Sequence, residues 1–166
     1  RFTSSGQFQG CTNLEVTATD APDLTGITSL SNMFVGCTKF VADLNAWNTA
    51  DVVSMSSMFY GASRFTSDLN GWNVAKVVTM QSMFRDATVF NSNLSAWNTA
   101  SVTNISFLSR EAPAFNSDLS AWNTAGVTNM GYMFVQASAF ACDLNAWGTA
   151  RVTSMETMFS SAAAFN

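Results

Sequence analysis

Histidine is missing from all 166 residues of this chain. That absence removes the commonest general base and the commonest metal ligand together. Charge is scarce as well: 11% of the residues are Asp, Glu, Lys or Arg, against about a quarter in ordinary soluble proteins. The net charge is −4, and the seven basic residues (Arg1, Lys39, Arg64, Lys76, Arg85, Arg110 and Arg151) stand singly. No basic stripe is available for a phosphate backbone, so nucleic acid is not an expected partner. Nor is there an apolar run of about 18 residues, which excludes a membrane-spanning helix within this segment. No Gly-rich phosphate loop and no isolated carboxylate pair occurs, so neither an enzyme nor a cofactor is expected. The three cysteines leave at least one thiol without a partner in the chain.

What is present is repetition. Trp47, Trp72, Trp97, Trp122 and Trp147 are all the tryptophans of the chain, set at one constant interval. Leu44, Leu69, Leu94, Leu119 and Leu144 precede them, and Val52, Val77, Val102, Val127 and Val152 follow. Beyond these come a Met or Ile, a second Met or Leu, an Ala and a Phe, giving F-x-x-D-L-x-x-W-N-T-A-x-V-T-x-M-x-x-M-F-x-x-A-x-x-F. A fixed period in this range marks a solenoid or related array, whose identical side chains stack into a core no single unit could bury. A composition that is 48% hydrophobic fits a chain with such a core. The expected organisation is one domain over 1–166, with a capping turn at 1–40 and five regular units over 41–166. The chain opens on Arg1 and stops inside the repeat at AAAFN, which reads as a piece of a longer protein.

Within one unit the apolar spacing changes. Val127, Met130, Met133, Phe134 and Ala137 fall at helical intervals, predicting a short helix opened by Val-Thr. The stretch F-x-x-D-L-x-x-W lacks helical spacing and predicts a brief strand paired with its copies. Leu14, Val16 and Ala18 alternate as a strand should. Each unit is then an α/β turn with one strand, one helix and a tryptophan as a rung of an internal ladder. The fourth unit is irregular: Leu108-Ser109 replaces Met-Phe and Arg110-Glu111-Ala112-Pro113 follows, so Phe107 is expected to turn inward in compensation.

With these residues in view, the repeat resembles the BspA-like surface-protein repeat, DUF285, which is grouped with the leucine-rich repeats. The resemblance covers essentially the whole chain, including NLEVTATDAPDLTGITSLSNMF as a first unit. It implies a right-handed leucine-rich-repeat-like solenoid. It also implies an extracellular or cell-surface protein that binds other proteins or a matrix, and it carries no catalytic set. Gly148, Val74, Asn93 and the unit around Ser109 depart from the family pattern.

Several columns carry chemistry. Asp43, Asp68, Asp118 and Asp143, with Asn93 between them, could form an oxygen ladder for calcium. Alternatively each side chain accepts a backbone amide of its own turn, which Asn93 would do equally well. Asn48, Asn73, Asn98 and Asn123 and the threonines 49, 99, 124 and 149 make a polar row that would suit an ice- or mineral-binding face, or corner hydrogen bonds. The Met column reads as filler for an irregular core. Cys11 and Cys37 share one phrase position and are small buried residues or a bridged pair; Cys142 has no counterpart. Asn93 and Asn104 lie in glycosylation sequons.

The expected function is a non-enzymatic interaction or adhesion scaffold whose partner is another protein or a surface polymer. A structural subunit of a larger complex is the alternative, and ice or mineral binding a third reading. The candidate surface is the variable position between Ala and Val (Asp51, Lys76, Ser101, Arg151), together with Arg110 and Glu111.

Overall fold

Apolar side chains three and four positions apart, such as Met55, Met58, Phe59 and Ala62, are turned to one side here by consecutive β-turns. The computed structural model describes residues 5–16 and 20–165. Among them no residue is helical, and strand-like pairing is confined to isolated parallel bridges. The amides of Met58, Tyr60 and Ala62 donate to the carbonyls of Met55, Ser57 and Phe59 at 3.2, 3.2 and 3.0 Å. Ser57 and Gly61, each third in a four-residue turn, have φ of +55° and +69°. A positive φ at that place is what a type II turn requires.

The helix expected from Val-Thr-x-Met is therefore absent, and the hydrogen bonds give the reason. The alternate amides, those of Met55, Ser57, Phe59 and Gly61, donate to Thr79, Gln81, Met83 and Arg85 carbonyls at 3.1, 2.8, 2.9 and 2.8 Å. An α-helix closes each amide on the carbonyl four positions earlier. Here one half of the amides closes a local turn and the other half finds an acceptor in a later segment, as Met55 does at Thr79, so no donor is left to build a helix.

The strand expectation is corrected as well. Bridges join Ser29 to Ser54, Ser54 to Thr79, Thr79 to Asn104, Asn104 to Asn129 and Asn129 to Ser154. They lie just after the recurring valine, not in F-x-x-D-L-x-x-W. The latter stretch is irregular backbone punctuated by turns, such as Trp72 N–H on the Leu69 carbonyl at 3.0 Å. Leu14 and Val16 are not in a strand, and Ala18 lies outside the described residues.

Most contacts join residues far apart in the chain. The core they enclose is an extended aromatic cluster. Phe8, Phe34, Phe59 and Phe84 stack at 5.7, 5.6 and 5.9 Å between ring centroids. A second row, Phe40, Phe65, Phe90, Phe115, Phe140 and Phe165, lies against it; Phe59 and Phe65 are 3.9 Å apart. Trp72, Trp97 and Trp122 are 3% exposed, whereas Trp47 and Trp147 are half-buried. The indole N–H of Trp72, Trp97, Trp122 and Trp147 donates to the carbonyl of Leu44, Leu69, Leu94 and Leu119 at 2.9, 2.8, 3.1 and 3.0 Å. Each of these four tryptophans thus packs into or against the core and satisfies a backbone acceptor that burial would otherwise strand.

Phe107 does not turn inward. Its φ is +59° and its ring stacks on Tyr132 at 4.8 Å, outside the core. Ser109 occupies the vacated Phe site, fully buried, with its hydroxyl donating to the Met133 carbonyl at 3.0 Å. The space is taken up by Phe115, which lies 6.3 Å from Phe84 and 6.4 Å from Phe134 at tilts of 30° and 36°. Within its own row Phe115 is tilted 26° to Phe90 and 27° to Phe140, against 10° and 7° for Phe40–Phe65 and Phe65–Phe90.

Trp97→Ala should lose about 3–5 kcal/mol in chemical denaturation. Trp97→Phe should lose about 1–3 kcal/mol, because the Leu69 carbonyl is left without a donor. A negligible cost for Trp97→Phe would contradict the role of the indole N–H. The far-ultraviolet circular dichroism spectrum should lack the paired minima of α-helix, and their presence would overturn the turn-based backbone.

Candidate functional site

The repeated polar columns are occupied by the fold itself. Asp43, Asp68, Asn93, Asp118 and Asp143 each accept the amide two positions on, at 2.9, 2.9, 2.9, 3.0 and 2.8 Å. This is the Asx turn, which needs an oxygen and no charge. Among the described residues no three His, Cys, Asp or Glu side chains gather as a metal shell. Asn48, Asn73, Asn98 and Asn123 cap their own turns in the same way at 3.1–3.2 Å. Thr49, Thr99 and Thr124 are buried, their hydroxyls donating to the carbonyls of Asn73, Asn123 and Gly148 at 2.9, 3.1 and 3.0 Å. With these three turned inward and Thr149 alone exposed, the row offers no flat outer grid.

The cysteines are free thiols. Cys37 is fully buried and donates to the Phe8 carbonyl at 3.0 Å; Cys11 is exposed. Cys142 accepts the Leu119 amide at 3.2 Å, in the place where Ser67 accepts that of Leu44 at 2.9 Å. Burial pushes the Cys37 and Cys142 thiols above their usual values, the reverse of what a nucleophile needs. Met55, Met80 and Met130 are fully buried core.

The variable column gives one ion pair, Lys76 to Asp51 at 2.8 Å, on an exposed surface. The hydrogen bond from Lys76 holds the Asp51 carboxyl below its usual value. Ser101 donates to the Ala75 carbonyl at 2.7 Å, and Arg151 is exposed. No ion pair or side-chain hydrogen bond among the described residues links this column to Arg110 or Glu111.

Arg110 and Glu111 belong instead to a separate charged and aromatic cluster. Arg110 forks onto the Glu111 carboxylate through Nε and Nη2 at 3.1 and 3.0 Å. Its guanidinium carbon lies 5.9 Å from the ring centres of both Phe107 and Tyr132. One period earlier, Arg85 lies over Tyr60 at 5.0 Å and reaches Asp86 at 3.5 Å and Glu111 at 3.9 Å. Arg85 Nε is buried with no hydrogen-bond acceptor among the described residues, since the 3.5 Å approach to Asp86 lacks hydrogen-bond geometry. The Tyr132 hydroxyl donates to Glu156, whose acceptance raises the phenol above its usual value. Asp86 and Glu111 both sit at positive φ, 57° and 59°. Sequence reasoning picked out Arg110 and Glu111 and missed Tyr60, Arg85, Asp86, Phe107 and Tyr132. The available signal was the pair Arg85-Asp86 recurring as Arg110-Glu111 one period later.

Residues 3–108 and 92–166 match the family model described as Mycoplasma protein of unknown function, DUF285. The chain belongs to the DUF285 family. No curated protein and no solved structure matches it.

In this DUF285 chain the cluster has an unusual acid. Partial burial, then the hydrogen bond and negative charge of Glu111, raise the Asp86 carboxyl from 3.8 to about 6. Glu111 is held below its usual value, first by the hydrogen bond from Asp86, while Arg110 and Arg85 favour its ionised form. One proton is thus held on Asp86 and shared toward Glu111. Because the folded value of Asp86 lies above the unfolded one, its stabilising contribution is complete below about 4 and lost as the pH rises through about 6. Glu111, shifted the opposite way, contributes above its usual value and loses that contribution only in more acid solution. Stability should therefore fall between about pH 4 and 6 on account of Asp86. Asp86→Asn should flatten that part of the profile in denaturation measured across this range. An unchanged slope in the variant would refute the assignment.

Proposed function

We propose that the chain is a right-handed, leucine-rich-repeat-like solenoid of stacked turns, one per sequence repeat, acting as a non-enzymatic interaction scaffold at the cell surface or outside the cell. Its partner is another protein or a surface polymer. The observation that carries this reading is the Arg–aromatic cluster of Tyr60, Arg85, Phe107, Arg110 and Tyr132 on a chain whose Asp and Asn columns serve its own turns. Tyr and Arg dominate the energetics of protein interfaces because each combines large contact area with directional polar groups. Here their rings and guanidinium planes are already held by stacking and ion pairs, so little side-chain freedom is lost on contact.

The parallel bridges and the outward amide bonds, such as Ser57 to Gln81 and Ser82 to Ser106, support the stacked-turn architecture.

Quantitative binding of the labelled chain to the surface or matrix of its source cells tests the interaction reading. Joint Arg110→Ala and Tyr132→Ala substitution should weaken binding at least about tenfold. Lys76→Ala, at the exposed ion pair, should leave it unchanged. Equal loss from both variants, or from neither, would remove the cluster as the contact surface.

A further inference from the structure

One column of the repeat reads Gly36, Gly61, Asp86, Glu111, Gln136 and Ser161, so its two acids are consecutive. The amides of Gly61, Asp86 and Glu111 donate to the carbonyls of Arg85, Arg110 and Val135 at 2.8, 2.9 and 2.7 Å, which sets these positions side by side. Gly61, Asp86, Glu111 and Gln136 share one backbone conformation, with φ of +69°, +57°, +59° and +59°, so Asp86 and Glu111 leave the chain in the same direction. The column is tight: a Cβ on Gly61 would lie 3.6 Å from the Gly36 Cα. Two ionised carboxylates held this way repel, and one proton between them removes the conflict.

The two arginines beside the pair are not equally committed. Arg110 forks onto Glu111 at 3.1 and 3.0 Å, with the rings of Phe107 and Tyr132 beside its guanidinium. Arg85 rests on the single ring of Tyr60, on the preceding segment. It approaches Asp86 at 3.5 Å and Glu111 at 3.9 Å, and its buried Nε has no acceptor among the described residues. The charged groups that act on Asp86 are Glu111, Arg85 and Arg110, and of these three Arg85 alone is without a hydrogen-bonded partner.

We propose that Asp86 and Glu111 form a proton-operated latch on the contact surface: while they share a proton, Arg85 stays on Tyr60 with its donors open to an anionic oxygen of the partner, and loss of that proton turns Asp86 onto Arg85 Nε and withdraws the guanidinium. The inference rests on the reading of the cluster as the contact surface and supplies its regulation. Neutral Asp86 donates to Glu111, whose charge Arg110 supports, so neither acid requires Arg85. Once ionised, Asp86 is repelled by Glu111, and Arg85 Nε is the nearest donor without an acceptor. Closing the gap to about 2.8 Å makes a charge-assisted hydrogen bond, stronger than a neutral one. The Asp86 carboxyl gives up its proton at about 6, so the latch opens on acidification. About nine-tenths of the chains hold the proton at about pH 5 and about 3% at about pH 7.5, which weakens apparent affinity about thirtyfold over that interval.

The latch is read first without a partner, by nuclear magnetic resonance of the whole chain labelled in its arginine side chains and carboxyl carbons. The Arg85 Nε–H signal should move together with the Asp86 carboxyl carbon through one midpoint at about 6, while that of Arg110, bonded to Glu111, stays in place. In Asp86→Asn the Arg85 signal should keep its acid position across the range. In Glu111→Gln the midpoint should move to lower pH, because the neighbouring negative charge is gone. An Arg85 signal indifferent to the titration of Asp86 would overturn the latch and leave the contact-surface reading standing. The second arm measures binding to the surface matrix of the source cells at about pH 5 and 7.5. The native chain should lose about thirtyfold between them relative to Asp86→Asn, which should keep its acid-level affinity. Arg85→Ala should weaken binding at the lower pH. The same pH dependence in the native chain and Asp86→Asn would overturn the latch alone. Binding unaffected by joint Arg110→Ala and Tyr132→Ala substitution would remove the contact surface, and the proposal with it.

Discussion

The structure depends on one constraint: alternate backbone amides in the Met-x-x-Met-Phe stretch must find acceptors in the equivalent stretch of the next segment. A buried amide without an acceptor costs about 1–3 kcal/mol, and the bonds from Met55, Ser57, Phe59 and Gly61 remove four such costs at once. Once those donors point along the molecule, the remaining amides can only close tight turns. The tight turns in turn force positive φ on residues such as Asn32, Ser82, Asp86, Tyr132 and Thr157. That conformation costs a non-Gly residue roughly 1–2 kcal/mol. It is held because the bonds on either side leave the backbone no alternative.

The aromatic core follows from the same geometry. Bringing equivalent positions together places Phe on Phe at 5.6–5.7 Å, and offsets Trp72, Trp97, Trp122 and Trp147 so that each indole N–H meets a leucine carbonyl of the preceding segment, as Trp97 meets Leu69. Polar residues are used in a comparable way. Asp and Asn oxygens cap turns, Thr hydroxyls go inward to carbonyls, and Ser67 and Cys142 present an acceptor to a buried leucine amide. A column that serves the fold in every segment is a poor place to look for function. The cluster around Arg85 and Arg110 stands apart because its side chains mostly serve one another.

That cluster also shows how position decides chemistry. Asp86 and Asp51 are both aspartates near a basic side chain, yet their carboxyl values move in opposite directions. Asp51 takes a direct hydrogen bond from Lys76 in open solvent, which favours its charge. Asp86 is partly desolvated and faces Glu111, whose charge is already claimed by Arg110, so the shared proton stays on Asp86.

The sequence by itself determined the repeat period, the identity of the core columns and the family. A side chain such as Leu69 or Phe65 recurring at a fixed interval is visible in one dimension, and its burial follows from its chemistry. The Asx role of Asn93 was legible for the same reason, being a contact with Ser95 two places on. Only the tertiary structure decided the backbone between those side chains. Apolar spacing of three and four fits a helix and a run of β-turns equally well, and what separates them is whether an amide finds its acceptor locally or on another segment. The outward stacking of Phe107 on Tyr132 and the gathering of Tyr60, Arg85, Asp86, Arg110 and Glu111 were likewise decided between segments. Neighbours on adjacent segments are a full repeat period apart in the chain, so spacing within one segment does not show them side by side.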